Sequence, residues 1–258
     1  MVFGGLPGNG TVNERMKDNF SHNSNDYSRY RPDYPEALFR FLKSQVSGFG
    51  NAWDCGTGTG QLAIPLSRIF TSVYATDISY SQLENAPQWD DIYYSVQPAE
   101  KTNFAPEIFD LITVGQAIHW FDFEKFYAEV YRTMKPDGLI AVMGYGLLKT
   151  NSETQKVILD LYQNIIGTYW DPERKYIDEN YATIPFPFIE IECPGFKYKV
   201  TWSIDHLIGY LKTWSAVKHF ENKNAYDPVL QITPQLYKAF GDEGEVTFPI
   251  LLRAGRKH

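Results

Sequence analysis

Trp53-Asp54-Cys55-Gly56-Thr57-Gly58-Thr59-Gly60-Gln61 is the stretch on which the fold of this 258-residue chain turns. Residues 52–55 read as a short strand, and Leu62, Leu66, Ile69 and Phe70 then recur at helical spacing, with Pro65 confined to the first turn or marking a kink. A glycine cluster between a strand and a helix lets the backbone turn sharply and approach a ligand. The N–H groups that open the helix are free for a carboxylate or phosphate. Asp77 closes the next strand, 72–77, where a carboxylate accepts both hydroxyls of a ribose. The dinucleotide pattern G-x-G-x-x-G or A would place Gln61 at its third glycine; the glycines run instead at 56, 58 and 60.

Outward from this point, strand and helix patterns alternate. Residues 80–86 read as helix, 92–96 as strand and 110–115 (DLITVG) as a fully buried strand. Phe123, Phe126, Tyr127, Val130 and Met134 mark an amphipathic helix that Lys135-Pro136-Asp137-Gly138 stops, and 139–143 is another buried strand. This rhythm predicts a Rossmann-like α/β fold: a mostly parallel sheet with helices on both faces. Residues 149–195 are too long for a plain loop and are expected to form an insertion covering the active edge, its first helix opened by a Ser152/Gln155 capping box. Residues 196–202 and 246–253 are the last expected strands, Pro249 marking a bulge or a late start of pairing, and 205–220 and 234–241 are expected helices. Residues 1–12, with four glycines and a proline, read as a flexible tail; 13–258 reads as one domain, with a cover segment at 13–45.

Composition excludes several classes. Hydrophobic residues at 43% support a real core, and the longest apolar run is about half a membrane span, so no membrane partner is expected. No basic-then-apolar leader pattern appears, and a soluble cytoplasmic protein is the expectation. A net charge of −7, without a basic stripe, argues against a nucleic-acid partner. Two cysteines and five scattered histidines offer no metal spacing, so no metal is expected.

The motifs together resemble the class I S-adenosylmethionine (SAM) dependent methyltransferases of the methyltransferase type 11 superfamily. Residues 54–60 resemble their first motif, Asp77-Ile78-Ser79 the acidic loop, Ala99-Glu100 and 109–112 the adenine-side segment and fourth strand, and 134–139 the turn before the fifth strand. Residues 25–35 (NDYSRYRPDYP) and 116–122 (QAIHWFD) resemble the trans-aconitate methyltransferase-like small-molecule branch, and 211–215 and 255–257 do so more weakly. The resemblance implies a seven-stranded sheet whose last strand is antiparallel, SAM as cofactor, and S-adenosylhomocysteine (SAH) as product. It also implies residue roles. Gly56, Gly58 and Gly60 would give backbone room to the methionine part, with Thr57 beside them in the cofactor site, and Asp54 would hold its ammonium directly or through water. Asp77 would take the ribose, with Ile78 on the adenine, Ala99 and Glu100 at the adenine edge, and Gln116 and Ala117 under the sulfonium. Tyr27, Tyr30 and Arg31 would close over the methionine end, Arg31 pairing its carboxylate. Pro98 stands where relatives often carry an acidic residue for the adenine amino group.

His119 is the candidate catalytic base, with a plain pocket-shaping histidine as the competing reading; Tyr30, Tyr34, Trp120 and Trp214 are candidate substrate-pocket residues, each set against ordinary core packing. Asp110 begins its strand and is assigned to structure. The expected activity is methyl transfer to a small-molecule acceptor, O-methylation of a carboxylate favoured, since a carboxylate needs no base. A SAM-binding regulator without turnover and a methyltransferase acting on RNA or protein are the alternatives; the glycine spacing disfavours an NAD-dependent oxidoreductase.

Overall fold

A computed structural model describes residues 30–258. Helix α1 (Glu36–Gln45) leads into β1 (Asn51–Cys55), α2 (Ala63–Ser67), β2 (Ser72–Asp77), α3 (Tyr80–Glu84) and β3 (Ile92–Val96). Next come β4 (Phe109–Gly115), a 3-10 turn (Ile118–Trp120), α4 (Phe123–Thr133) and β5 (Met134–Tyr145). Then follow α5 (Ser152–Asp160), α6 (Arg174–Asp178), the two-residue β6 (Ile189–Glu190), β7 (Phe196–Ser203), α7 (Ile204–Lys212), α8 (Ser215–Asn224), α9 (Pro228–Phe240) and β8 (Glu243–Arg256).

The sheet order is β3-β2-β1-β4-β5-β8-β6, with β7 also paired to β8. Strands β1 to β5 pair in parallel, and the last strand, β8, lies antiparallel to β5, β6 and β7. The Rossmann-like expectation therefore holds, with the short β6 as an added strand. The central parallel strands β1, β4 and β5 are buried on both faces, and alternate residues serve different cores. Leu111, Leu139, Ala141 and Met143 pack with α1, α2, α5 and α7 to α9; Ile112, Val114, Ile140 and Val142 pack with Trp53, Phe126 and Val130 beneath α4. Pro65 falls in the first turn of the five-residue α2, where its missing N–H costs little. Asp110 is structural: it accepts from the backbone N–H of Gly50 and Asn51 and pairs with Lys135 at 2.7 Å.

Four local expectations change. The cap of α5 is Asn151, whose Oδ1 accepts from Thr154 N at 2.9 Å, while Gln155 reaches back to Thr150 N and Leu148 O. The expected 205–220 helix is two helices parted at Thr213 and Trp214. Helix α9 begins at Pro228 behind an Asp227 cap and contains Pro234, which had been read as its start. Pro249 is neither bulged nor outside the ladder. It sits opposite Lys197 of β7, and its carbonyl accepts from Gly146 N, so its nitrogen faces the side where the β5 ladder has already ended at Tyr145. The 135–138 turn follows the end of α4 at Thr133 as expected, and Met134 already pairs with Phe109; between Phe109 and Leu111 of β4 the partner strand advances from Met134 to Leu139, so the four residues bulge out of the ladder. No helix among the described residues is long and apolar enough to cross a membrane.

Candidate functional site

Strand β1 ends under the bend at 56–60. Thr76 O accepts from both Gly56 N and Thr57 N, at 2.8 and 2.9 Å, and Asp77 Oδ2 accepts from Gly58 N at 2.9 Å. All three glycines have positive φ, +69° at Gly56, +56° at Gly58 and +85° at Gly60. Their surroundings differ. A Cβ at Gly56 would stand 2.7 Å from Ala117 Cβ, and one at Gly60 would stand 2.5 Å from the Tyr94 hydroxyl; at Gly58 it would meet only Gln82 Oε1, at 3.8 Å. Two of the glycines thus make room for the protein's own packing, and Gly58 alone keeps an open face.

Beneath the bend Asp54 is 1% exposed. It accepts from Thr57 Oγ1 at 2.6 Å and Thr113 Oγ1 at 3.0 Å. Burial pushes its carboxyl up to about 6, with the two hydroxyls opposing and the charge of Asp77 adding to the rise. Asp77, at the end of β2, also accepts from Ser79 N through Oδ1 at 2.9 Å.

Above the bend lies a cavity of about 580 Å³, lined by Thr57, Gly58, Asp77, Gln82, Gln116 and Ala117 among others. Asp54 lies below this lining. Ile78 is 40% exposed just past Asp77. Ala99 is buried, and Glu100 Oε1 accepts from Asp122 N at 3.0 Å, so Glu100 already serves the start of α4.

A second cavity, about 480 Å³, adjoins the first; Gln116 and Trp120 line both. Its other walls include Arg31, His119, Trp170, Arg174 and Trp214. Gln116 stands at the junction with φ +54°, held by donation from its N to Met143 O and by acceptance of Tyr145 N at its Oε1, 2.8 and 2.9 Å. Arg31 donates to Tyr145 Oη at 3.0 Å and to Thr213 O at 3.2 Å. Arg174 donates to Tyr162 Oη at 2.8 Å and lies over the Trp170 ring, 4.6 Å from its centroid. Burial first, and then the charges of Arg174 and Arg31, lower His119 to about 3, so its ring is neutral at physiological pH. Its Nδ1 is buried without a partner among the described residues.

Of the predicted site residues, then, the structure gathers Gly56, Thr57, Gly58, Asp77, Gln116 and Ala117 at one cavity and Arg31, His119, Trp120 and Trp214 at or beside the other. Tyr30 lies elsewhere, packed on Gly209 with its ring 5.2 Å from that of His206. Tyr34 is buried near Gly115 and Tyr145 and faces a separate recess. Tyr27 is outside the described residues. Sequence reasoning missed Trp170, Asp171 and Arg174, which line the second cavity from within the long insertion.

Residues 53–142 match the family described as a methyltransferase domain. A Dictyostelium discoideum protein provisionally named a methyltransferase is 33% identical over 253 residues, 94% of this chain and 96% of that protein. The chain belongs to the class I methyltransferase family. A solved structure from Anaeromyxobacter dehalogenans, provisionally named a type II methyltransferase, is similar with a TM-score of 0.82 and 38% identity, covering 89% of this chain and all of that one. An uncharacterized methyltransferase of Mycobacterium tuberculosis is 26% identical over 185 residues, 69% of this chain and 67% of that protein. In this methyltransferase-family chain the matched segment runs from β1 through most of β5 and carries most of the first cavity. The arginines and two of the three tryptophans of the second cavity lie outside it.

Proposed function

We propose that the protein is a SAM-dependent methyltransferase that moves a methyl group to a small carboxylate acceptor, SAM taking the first cavity and the acceptor the second. The residues fit SAM. The open face at Gly58 is a cradle that a single Cβ would begin to fill, and Thr57 and Gly58 line the cavity where a methionyl chain would lie. Asp77 accepts the Gly58 and Ser79 N–H groups and lines the cavity as the carboxylate that would take the ribose hydroxyls. Exposed Ile78 offers an apolar surface to adenine, and the backbone of Ala99 is the remaining adenine-edge candidate now that Glu100 is engaged. Asp54 acts from below the bend rather than as a direct ammonium contact.

SAM supplies a methyl group already activated on a sulfonium. The protein's task is alignment and exclusion of water, worth about 7–11 kcal/mol when the reactants are well placed. Gln116 and Trp120 form the passage between the cavities. Arg31 faces the acceptor side, which moves its role from the methionine carboxylate to an anionic acceptor.

The observation that carries this reading is the pair of guanidinium groups beside the second cavity, whose joint field is felt at His119. Such a field favours an anion. Neutral His119, with so low a proton affinity, is a poor general base and a good hydrogen-bonding wall, which suits an acceptor that arrives ionised. An anionic small-molecule acceptor is also what the resemblance to the trans-aconitate methyltransferase-like branch implies, and our reading keeps the chain in that branch, as a cytoplasmic single domain with a cover segment and a 149–195 insertion.

The test is transfer of labelled methyl from SAM across matched panels of carboxylic acids, alcohols, amines and RNA. The reading expects base-labile methyl esters from acids alone. Label in an amine, an alcohol or RNA with none in any acid would overturn the carboxylate assignment.

A further inference from the structure

Thr113 lies in the middle of β4, is fully buried and lines neither cavity. Valine would fill the same place in a buried strand, so the hydroxyl calls for an explanation of its own. It makes one short bond, donating to Asp54 Oδ1 at 3.0 Å, and a longer approach to Trp53 O at 3.4 Å. A threonine hydroxyl has one proton, and the charged acceptor at the shorter distance takes it. The other oxygen of the same carboxylate accepts from Thr57 Oγ1 at 2.6 Å. A single buried carboxylate therefore ties the centre of the sheet to the bend that lines the first cavity.

We propose that Thr113 is a positioning residue for cofactor binding: acting through Asp54, it holds Thr57 and the bend in the shape that SAM occupies. This rests on the assignment of SAM to the first cavity.

Asp54 stays ionised only while its hydrogen bonds last. The groups facing it give no help: Asp77 on β2 is a like charge, Tyr94 on β3 is pushed up to about 12, and the neighbouring Cys55 thiol is pushed well above its usual range. Besides the two hydroxyls, the backbone at Ala63 is the remaining donor that favours the charge. Without the Thr113 donor the carboxyl takes up a proton at higher pH. A protonated carboxyl is a weaker acceptor with a proton of its own to place, so the charge-assisted bond that fixes Thr57 weakens.

Thr113→Val keeps the shape and removes the donor; Thr113→Ser keeps the donor and loses a methyl group. Calorimetric titration of SAH from pH 5 to 8.5 reads the consequence. Wild type should hold its affinity above about 6 and lose it below, following Asp54. Thr113→Val should move that loss upward by about two pH units and so weaken binding at pH 7 by roughly tenfold, while Thr113→Ser stays within about threefold of wild type. Equal affinities and midpoints in wild type and Val, or equal weakening in Val and Ser, would overturn the proposal. The Asp54 carboxyl signal in ¹³C NMR of the ligand-free protein gives a readout that needs no SAH. An unmoved midpoint in Thr113→Val overturns the tie even if SAH fails to bind. Absence of SAH binding to wild type with a moved midpoint would instead sink the SAM assignment and, with it, Thr113's role toward that cofactor.

Discussion

Gly60→Ala should destabilise the protein far more than the same change at Gly58, although both glycines have positive φ. At Gly60 the left-handed backbone costs alanine about 1–2 kcal/mol, partly offset by the smaller entropy of the unfolded chain. The new methyl group would also stand 2.5 Å from the Tyr94 hydroxyl, whose oxygen is buried and cannot simply swing into solvent. Overpacking of this kind costs about 1–3 kcal/mol. The sum is about 2–4 kcal/mol, a fall in Tm of roughly 4–16 °C for a domain near this size. Tyr94→Phe removes the oxygen and leaves the nearest ring atom 3.5 Å away, an ordinary contact, so it should return most of the overpacking cost and leave only the strain. Urea unfolding of the four proteins of this double-mutant cycle measures the coupling. At Gly58 the strain stands alone, about 1 kcal/mol, and the loss should appear instead in SAH affinity. A Gly60→Ala variant within about 0.5 kcal/mol of wild type, or one equally damaged with and without the Tyr94 hydroxyl, would refute this division between the two glycines.

Asp77→Ala should weaken SAH binding by about 10–100-fold, the worth of one charge-assisted contact, with the far-UV spectrum unchanged; calorimetry at pH 7.5 checks it. Asp54→Asn should stabilise the protein at neutral pH while reducing SAH affinity. Its carboxyl rises from 3.8 to about 6 on folding, so the folded state holds a proton the unfolded state has released and stability falls as pH rises from about 4 through 6. Up to roughly 3 kcal/mol rides on that rise, and urea unfolding at pH 4.5 and 7.5 should show the variant's profile flatter than wild type. His119 has the opposite sign: a ring lowered from 6.5 to about 3 contributes stability above 6.5 that is lost as pH falls. Its C2–H resonance should stay still between pH 8 and 5, and a limb near 6.5 in kcat that disappears in His119→Gln would contradict the neutral assignment. Arg174→Gln should raise KM for an acid acceptor at least tenfold and leave SAH affinity within about twofold, since Arg174 lines the second cavity and lies outside the first.

Apart from the two-residue β6, the sheet was legible because its strands carried their own signals: the buried runs at 109–115 and 139–143 and the bend at 56–60 sit where pattern and turn chemistry agree. Pattern failed where long-range packing decides. Nothing near Pro249 in the chain announces that β5 ends opposite it, and nothing in 205–220 separates two helices from one kinked helix. The asparagine cap of α5 fell one residue from the expected serine because Asn and Ser both satisfy a helix start, and only geometry chooses between them. At the site, residue type foretold which residues gather near the bend but not what each one faces. Gly60 serves Tyr94, Glu100 serves Asp122, and Tyr30 serves α7, since partners distant in sequence leave no local mark. Trp170 and Arg174 escaped notice because residues 166–174 have no period to read; an arginine four residues from a tryptophan in a segment already expected to cover the active edge was the available clue.

The most direct measurement is calorimetric titration of SAH into wild type and Gly58→Val side by side, with unfolding curves to show that both are folded. Saturable binding of one molecule per chain to wild type, abolished by the single side chain that fills the open face of the bend, is the predicted result. No heat from wild type, or equal affinity in the two folded proteins, would contradict the placement of the cofactor over the bend at 56–60.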